Sequence, residues 1–251
     1  MAVWRLIVNE GELYWCMALD EAMLQLREQD KIPNTLRLYR ILPSGVTIGY
    51  FQRVKDSVNL DYIREHEIPL TRRITGGGSV YHDGSGEVTY SVVADISDVG
   101  EDVLESYQRI CRGIVYALRI FGVRAEFKPI NDVVVDGKKI SGSAQTRKKK
   151  ALLQHGTFMY ATDLDKLSQC LRAPREKLES HGVSSIRDRV TTLSEIIGRR
   201  PGLSEVLEAL KKGFSQALGV ELKPSRLTKE ELLLAEKLIA KYKDEEWVFR
   251  K

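Results

Sequence analysis

The residues best suited to chemistry lie between Arg72 and Asp83, in the run Arg-Arg-Ile-Thr-Gly-Gly-Gly-Ser-Val-Tyr-His-Asp. Glycines have no Cβ, so their backbone amides can approach a ligand closely, and the paired guanidinium groups supply charge for phosphate or carboxylate oxygens. No Gly-Lys-Ser/Thr follows, which excludes a P-loop, and the third glycine of a GxGxxG turn would fall on Tyr81. The run therefore indicates either an anion-binding loop of another kind or, as for most glycine runs, a flexible turn.

A second group of small and polar residues occupies positions 131 to 157. Lys139 precedes Ser141-Gly142-Ser143-Ala144, where small side chains would let a ligand lie against a strand. Because side chains alternate along a strand, the pattern predicts that Lys139 and Ser141 share one face. A buried lysine there would aim a cation at a bound anion, whereas Lys138, next to a turn, fits an edge residue that prevents aggregation.

The hydrophobic pattern predicts the elements that must position these groups. Apolar runs predict strands at 3–8, 35–41, 46–50, 70–73, 80–81, 88–93, 131–135, 138–145 and 151–160. Apolar residues at intervals of three and four, with a capping box at Thr228-x-x-Glu231, predict helices at 12–28, 60–67, 103–121, 163–171, 193–197, 203–218 and 228–241. Asp136-Gly137 is a strong hairpin signal. We expect a single α+β domain over 1–251, with a mixed β-sheet flanked by helices.

Composition limits the class of protein. The 251 residues are 43% hydrophobic and carry a formal net charge of +4, which is ordinary for a globular chain. Three scattered cysteines do not suggest a disulfide framework, and no segment resembles a signal peptide or a membrane span, so we expect a cytoplasmic protein without a membrane partner. The basic run from Arg147 to Lys150 fits a solvated turn or a steering surface for an acidic partner. No alternation of aromatic and basic residues indicates a nucleic-acid partner.

Several motifs follow one another along the chain. A helix with Ala18-x-x-Glu21 precedes Ile48-Gly49, Arg72-Arg73-x-x-Gly76-Gly77-Gly78-x-Val80-x-His82-Asp83, Asn131-Asp132, Lys139-x-Ser141-Gly142-Ser143-Ala144, His155-Gly156-Thr157 and Val183-x-Ser185-x-Arg187-x-Arg189-Val190-Thr191. In this order, and over nearly the whole chain, they resemble the lipoate-protein ligase family. The resemblance implies the catalytic fold that this family shares with biotin ligases and class II aminoacyl-tRNA synthetases. The Gly-Arg-Gly-Arg type of loop of biotin ligases is absent.

The same resemblance implies a two-step reaction. The carboxylate of lipoate attacks the α-phosphorus of ATP, with Mg²⁺, to give lipoyl-adenylate and pyrophosphate, and a lysine of a lipoyl domain then takes the acyl group. Such domains belong to the E2 subunits of 2-oxoacid dehydrogenases and to the H protein. The chain resembles the archaeal form that lacks a small C-terminal domain, so we expect a separate small accessory subunit.

Site residues are implied position by position. The implied nucleotide-binding residues are Arg73, Gly76, Gly77, Gly78, Ser79, Val80, Tyr81, Asn131, Asp132 and Lys139. The implied lipoate-binding residues are Arg72, Gly77, His82, Lys139, Ser141, Gly142, Ala144, His155 and Gly156. Lys139 is the implied catalytic residue because it would contact both anions, and Asp132 is the implied Mg²⁺ ligand. His155 fits an internally hydrogen-bonded sheet histidine equally well. Residues 181–191 resemble the loop that closes over the adenylate.

Two other functions stay open. Octanoyltransferases of the same superfamily carry the acyl group on a cysteine, and Cys170 follows His155-Gly156 by about one helix, although the Pro-Cys-Gly motif around such a cysteine is absent. The chain could also be a non-catalytic subunit that binds lipoyl-adenylate. An acyl adduct on Cys170 and turnover without ATP would favour the octanoyltransferase.

Overall fold

The nine predicted strands and seven predicted helices occur in the predicted order, and the described residues also form two strands and three short helices that the sequence did not predict. The computed structural model describes residues 1–172 and 185–250. Its strands are β1 (Ala2–Gly11), β2 (Thr35–Ile41), β3 (Gly45–Ile48), β4 (Leu70–Arg72), β5 (Val80–His82), β6 (Glu87–Asp95), β7 (Glu126–Lys128), β8 (Asp132–Val135), β9 (Lys138–Arg147), β10 (Ala151–Met159) and β11 (Val220–Pro224). Its α-helices are α1 (Leu13–Glu28), α2 (Val54–Ser57), α3 (Leu60–Glu65), α4 (Val103–Ile120), α5 (Leu164–Cys170), α6 (Ile186–Arg189), α7 (Leu193–Ile197), α8 (Leu203–Leu218), α9 (Lys229–Lys243) and α10 (Glu245–Phe249).

The strands form two sheets. The larger sheet has the order β11-β1-β2-β6-β10-β9-β8-β7, and the smaller one has the order β4-β3-β5. β1 runs parallel to both of its neighbours, β2 and β11, whereas the pairs from β2 to β7 are antiparallel. β3 is parallel to β4 and antiparallel to β5. The predicted mixed sheet of the α+β class is confirmed.

Helices cover both faces of the large sheet. On one face, α4 and α8 pack against each other and share an apolar core with the strands. Their backbones approach closely at two glycines, since a Cβ on Gly213 would lie 2.2 Å from the carbonyl oxygen of Gly113. On the other face, α1 packs against α9 around a second core. The small sheet shares a third core with residues of α2, α3, α5 and α10. Within the described part of the chain, every helix is too short or too polar to cross a bilayer.

Local signals in the sequence account for several boundaries. Asp136 and Gly137 have φ angles of 49° and 77°, as a two-residue type I′ hairpin between β8 and β9 requires. Thr228 and Glu231 form the predicted capping box at the start of α9. Gly122, just beyond the end of α4, has a φ of 75°. The hairpin and the capping box that the sequence predicts are confirmed.

The strand that carries Lys139 contains an irregularity that the sequence does not reveal. Along β8 and β9, Val133 pairs with Ser141 and Val134 pairs with Lys139, so Ile140 is an extra residue in a β-bulge. The extra residue interrupts the alternation of side chains between the two faces of β9. The prediction that Lys139 and Ser141 share one face is wrong: Lys139 instead lies on the same side as Gly142 and forms an ion pair with Asp132.

Candidate active site

A cavity of about 490 Å³ lies between the two sheets, a size typical of a small-molecule site. The small sheet contributes β3, β5 and the glycine-rich loop, and the large sheet contributes β2, β6, β9 and β10. The predicted site residues that line it are Arg73, Gly77, Gly78, Ser79, Val80, Tyr81, His82, Asn131, Asp132, Lys139, Gly142, Ala144, His155 and Gly156. Residues from two segments of the chain, 73–82 and 131–156, therefore meet around one cavity.

The glycine-rich loop, residues 76–79, presents free amides at the cavity. Arg73, which also lines the cavity, holds the loop by donating to the carbonyl oxygens of Gly76 and Gly78. Gly77 has a φ of 85°, and the amides of residues 77–79 donate no hydrogen bond to any described residue. Carbonyls turned toward a guanidinium and amides turned to open space form a nest that accepts an anion. The expected anion-binding loop, rather than a flexible turn, matches this geometry.

The loop is wedged against Gly49. A Cβ on Gly49 would lie only 2.0 Å from the carbonyl oxygen of Gly77, so no larger residue fits without moving the backbone. The amide of Tyr50 donates to the carbonyl oxygen of Thr75 at 2.8 Å. Contacts from the 49–50 segment therefore help fix the path of the glycine-rich loop.

Lys139 lines the same cavity as this loop. Its ammonium lies 2.7 Å from a carboxylate oxygen of Asp132, and about a third of the side chain is exposed. The terminal atoms of the side chain lie across Gly142, where a Cβ would come within 2.4 Å of them. The side-chain amide of Asn131 (Nδ2) donates to the carbonyl oxygen of Ser143 at 2.5 Å, which fixes the segment that precedes Asp132.

The segment 185–191 forms another part of the wall. The amide of Thr191 donates to the carbonyl oxygen of Lys139 at 2.9 Å, and Val190 makes a β-bridge with Lys139. Ile186, Arg189 and Val190 line the cavity. Residues 181–184 of the predicted closing loop lie outside the described residues.

A buried polar cluster supports the floor of the cavity. The carboxylate of Asp20 on α1 accepts hydrogen bonds from Arg37, Tyr39 and Ser91 at 2.8 to 2.9 Å, and it lies 2.9 Å from Nδ1 of His155. Burial opposes its ionisation, but the bond from His155 and the charge of Arg37 outweigh that effect and hold the pKa of Asp20 below its usual value. Asp20 is therefore a buried carboxylate at neutral pH.

Both cavity histidines are fully engaged within the protein. Nε2 of His155 lies 2.7 Å from the hydroxyl of Thr75, and burial lowers the pKa of His155, so the ring is neutral. His82 lies 3.1 Å from the hydroxyl of Thr47 and 3.2 Å from Glu87. For His155, this geometry favours the second interpretation from the sequence, a histidine with both ring nitrogens satisfied.

Three predicted site residues do not line the cavity: Arg72, Gly76 and Ser141. The guanidinium of Arg72 lies within hydrogen-bonding distance of six backbone carbonyl oxygens, those of Gly49, Tyr50, Gln52, Trp247, Val248 and Arg250. We therefore reassign Arg72 from lipoate binding to fastening α10 onto the 49–52 segment. Ser141 is fully buried and, because of the bulge, pairs with the core residue Val133. Gly76 contributes the carbonyl that Arg73 binds.

None of the three cysteines reaches the cavity. Cys16, Cys111 and Cys170 are each fully buried, and none is among the residues that line it. Burial raises the pKa of each thiol to about 11, so all three are protonated at neutral pH. Cys170 is the last residue of α5 and packs in the third core.

Comparison with known proteins agrees with this geometry. A family model described as the lipoyl protein ligase A/B catalytic domain matches residues 12–215. The chain belongs to this family. The octanoyltransferase LipM of Brevibacillus brevis is 37% identical over an alignment of 278 positions that covers all of both chains.

Two solved lipoate-protein ligases have the same fold. A bi-partite lipoate protein ligase from Thermoplasma acidophilum, described with its E2 lipoyl domain, superposes with a TM-score of 0.85 at 34% identity, covering 99% of this chain and 97% of the other. A lipoate-protein ligase A bound with ATP has a TM-score of 0.85 at 33% identity and 98% coverage of both chains. The predicted family and fold are confirmed.

Several cavity residues of this lipoyl protein ligase A/B family member escape prediction from its sequence. They are Met17, Tyr39, Thr47, Gln52, Thr89, Thr157, Met159, Leu167, Leu171, Arg172, Ile186, Arg189 and Val190. The apolar members have the same periodicity as core residues. Arg189 and Val190 carried a usable signal, because they belong to a motif on which the family resemblance rests.

The Mg²⁺ that the family implies would need oxygen ligands in the cavity. Among the described residues that line the cavity, Asp132 is the only carboxylate, and the described part of the chain contains no cluster of three metal-ligating side chains. Mg²⁺ at nucleotide sites usually takes one or two carboxylates and completes its shell with water and substrate phosphates. Asp132 fits such a site as a single protein ligand.

Proposed function

We propose that this chain is an ATP-dependent lipoate-protein ligase that forms lipoyl-adenylate and transfers the lipoyl group to a lysine of a lipoyl domain. One observation carries the proposal. A cation and a set of free amides, Lys139 and the glycine-rich loop, face one cavity, whereas none of the three thiols lines it. Bringing two anions together requires fixed positive charge and amide donors, and adenylation requires no protein nucleophile.

In the first step, an oxygen of the lipoate carboxylate attacks the α-phosphorus of ATP and pyrophosphate leaves. The amides of residues 77–79 bind phosphate oxygens. They are joined by the one N–H of Arg73 that has no acceptor among the described residues. The ammonium of Lys139 lies between the two reacting anions and offsets their repulsion. Asp132 holds Lys139 in place and is our candidate ligand for Mg²⁺, which would neutralise phosphate charge when bound.

In the second step, the neutral amine of the acceptor lysine attacks the acyl carbonyl, AMP leaves with both electrons of the acyl–phosphate bond, and the new amide loses a proton. Charge collects on the phosphate as AMP departs. The same amides and Lys139 are positioned to stabilise that charge, so both steps use one set of groups.

A second candidate is octanoyl transfer, which the name of the 37% identical relative from Brevibacillus brevis favours. A thioester intermediate would need a reactive thiolate at the cavity. All three thiols are buried, and their pKa values are raised to about 11, which opposes that role. An acyl chain of eight carbons could still be the substrate of the adenylation route.

We also propose the partners and the compartment. Lipoyl domains of E2 subunits or of the H protein are the acceptors, and the archaeal structure described with its E2 lipoyl domain supports this. The bi-partite character of that ligase supports a separate small subunit that assists adenylation here. We place the reaction in the cytoplasm, with neither nucleic acid nor membrane as a partner.

The test uses the purified chain and a variant in which all three cysteines are replaced by alanine or serine. Both proteins are incubated with Mg²⁺, a lipoyl domain and either lipoate or an octanoyl thioester, with and without ATP, and the domain is weighed by intact mass spectrometry. We expect ATP-dependent lipoylation by both proteins when the small partner is present. Acyl transfer from an octanoyl thioester without ATP, lost in the cysteine-free variant, would instead establish the octanoyltransferase.

A further inference from the structure

We propose that Asp20, His155 and Thr75 form a relay of positioning residues that fixes the Arg73 guanidinium and, through it, the glycine-rich loop for nucleotide binding. The inference rests on the proposed function, because it assigns roles within the same site. None of the three residues needs to touch the nucleotide in order to act.

The relay is a continuous chain of short contacts from α1 to the loop. Asp20 lies 2.9 Å from Nδ1 of His155, and Nε2 of the same ring lies 2.7 Å from the hydroxyl of Thr75. Nε of Arg73 donates to that hydroxyl at 3.0 Å. All four residues are buried, so water does not compete for these bonds.

Donors and acceptors along the relay can be assigned in only one way. Ionised Asp20 can only accept, so Nδ1 of His155 must carry the proton, and Nε2 of the neutral ring must accept. The hydroxyl of Thr75 therefore donates to Nε2, and its oxygen is left to accept from Arg73. A buried carboxylate on one helix thus sets the tautomer of His155 and the direction of the Thr75 hydroxyl.

The bond from Arg73 to the Thr75 hydroxyl helps to set which acceptors the other N–H groups of Arg73 reach. A guanidinium has five N–H groups. Four of them are directed to Thr75, to Thr47, and to the carbonyl oxygens of Gly76 and Gly78. The fifth has no acceptor among the described residues and is left for the ligand. Because two of these bonds hold the carbonyl oxygens of Gly76 and Gly78, rotation of Arg73 would also disturb the amides of residues 77–79.

Thr75→Val tests the relay, because valine keeps the volume and removes the hydroxyl. Thr71→Val is the matched control: Thr71 is equally buried on the preceding strand, and its hydroxyl donates one bond, to the carbonyl oxygen of Tyr242 at 2.7 Å, outside the relay. Thr75→Ser restores the hydroxyl. All variants are prepared in the full chain, with the small partner added for turnover.

Two readouts are measured. The first is kcat/KM for ATP, which should fall roughly 10- to 100-fold in Thr75→Val, recover in Thr75→Ser and change little in Thr71→Val, with a similar loss of thermal stability in both valine variants. The second needs no activity: ¹⁵N NMR should show an unprotonated Nε2 in His155. Thr75→Val, but not Thr71→Val, should shift that nitrogen and the amides of residues 77–79.

The outcomes separate the relay from the proposed function. Equal effects of the two valine variants on ATP turnover, or an unchanged His155 Nε2 and unchanged loop amides in Thr75→Val, would overturn the relay. A wild-type chain that forms no adenylate and transfers none would overturn the ligase, while the NMR measurement would still decide whether the relay holds the loop.

Discussion

Replacing Gly142 by alanine should inactivate the enzyme without unfolding it. The added Cβ would lie 2.4 Å from both Cε and Nζ of Lys139, and 3.4 Å from a carboxylate oxygen of Asp132. The obstructing atoms are the end of a flexible side chain, so the backbone can stay in place while the ammonium moves.

The size of the effect follows from these distances. Ordinary contact with a Cβ begins near 3.4 Å, so the ammonium must move by about 1 Å. A misplacement of about 1 Å can reduce the rate of a reaction that depends on positioning about 100-fold, or about 2.7 kcal/mol of transition-state stabilisation. The ion pair with Asp132 is partly exposed and contributes at most about 1 kcal/mol to stability, so the melting temperature should change by only a few degrees.

The assay is pyrophosphate release with lipoate, ATP and the small partner, together with thermal unfolding. Gly202→Ala is the control, because a Cβ there meets no atom within 4 Å. A second comparison adds Gly142→Ala to Lys139→Ala, where it should have no further effect on the rate. Activity of Gly142→Ala within a few fold of wild type would refute the reasoning, as would a large loss of stability.

Three further predictions concern Lys139, the glycine-rich loop and the buried thiols. Lys139→Ala should abolish pyrophosphate release while thermal unfolding stays near wild type, and Lys139→Arg should restore little activity, because a planar fork does not replace a compact ammonium. Gly49→Ala should lower both the melting temperature and ATP binding, since its Cβ would meet the Gly77 carbonyl at 2.0 Å; unchanged ATP affinity would contradict this. All three native thiols should resist alkylation at pH 8, and reaction should quicken as the pH approaches their pKa values of about 11 or on unfolding. Rapid labelling of one native cysteine would contradict that burial.

Features that depend on neighbouring residues were predictable from the sequence. The hairpin at Asp136-Gly137 follows from the positive φ angles that a tight turn requires. The capping box at Thr228 follows from the unpaired amides at a helix start. The family motifs also made most cavity residues predictable, because they group residues from distant strands into one predicted site.

Features that depend on register were not predictable. The bulge at Ile140 places Lys139 beside Gly142, whereas simple alternation would pair Lys139 with Ser141. Nothing in the local sequence marks that extra residue, because both registers bury apolar side chains. The position of the bulge decides which small residue lies under the ammonium.

The two arginines before the glycines illustrate the same limit. Adjacent residues at the end of a strand point in opposite directions, and their chemistry is identical. Arg73 faces the cavity and holds the loop carbonyls, whereas Arg72 faces α10, almost 180 residues away in sequence. Only the tertiary structure distinguishes the arginine that lines the cavity from the one that anchors α10.

The basic turn between β9 and β10 also differs from one sequence expectation. Arg147 donates to the carbonyl oxygens of Gly100, Glu101 and Asp102, and Lys150 forms an ion pair with Asp30 at 2.8 Å. Both cations therefore have partners within the chain. The geometry favours a solvated turn over a steering surface for an acidic partner.

The most direct test of the ligase is a pair of half-reactions with the purified chain. Supplied lipoyl-adenylate should be consumed and a lipoyl domain should gain one lipoyl group, with no cysteine required. From lipoate and ATP the isolated chain should form adenylate slowly, and a small companion protein should accelerate that step. Efficient lipoylation from ATP by the chain alone would contradict the need for a companion. Failure to transfer even preformed adenylate would contradict the ligase itself.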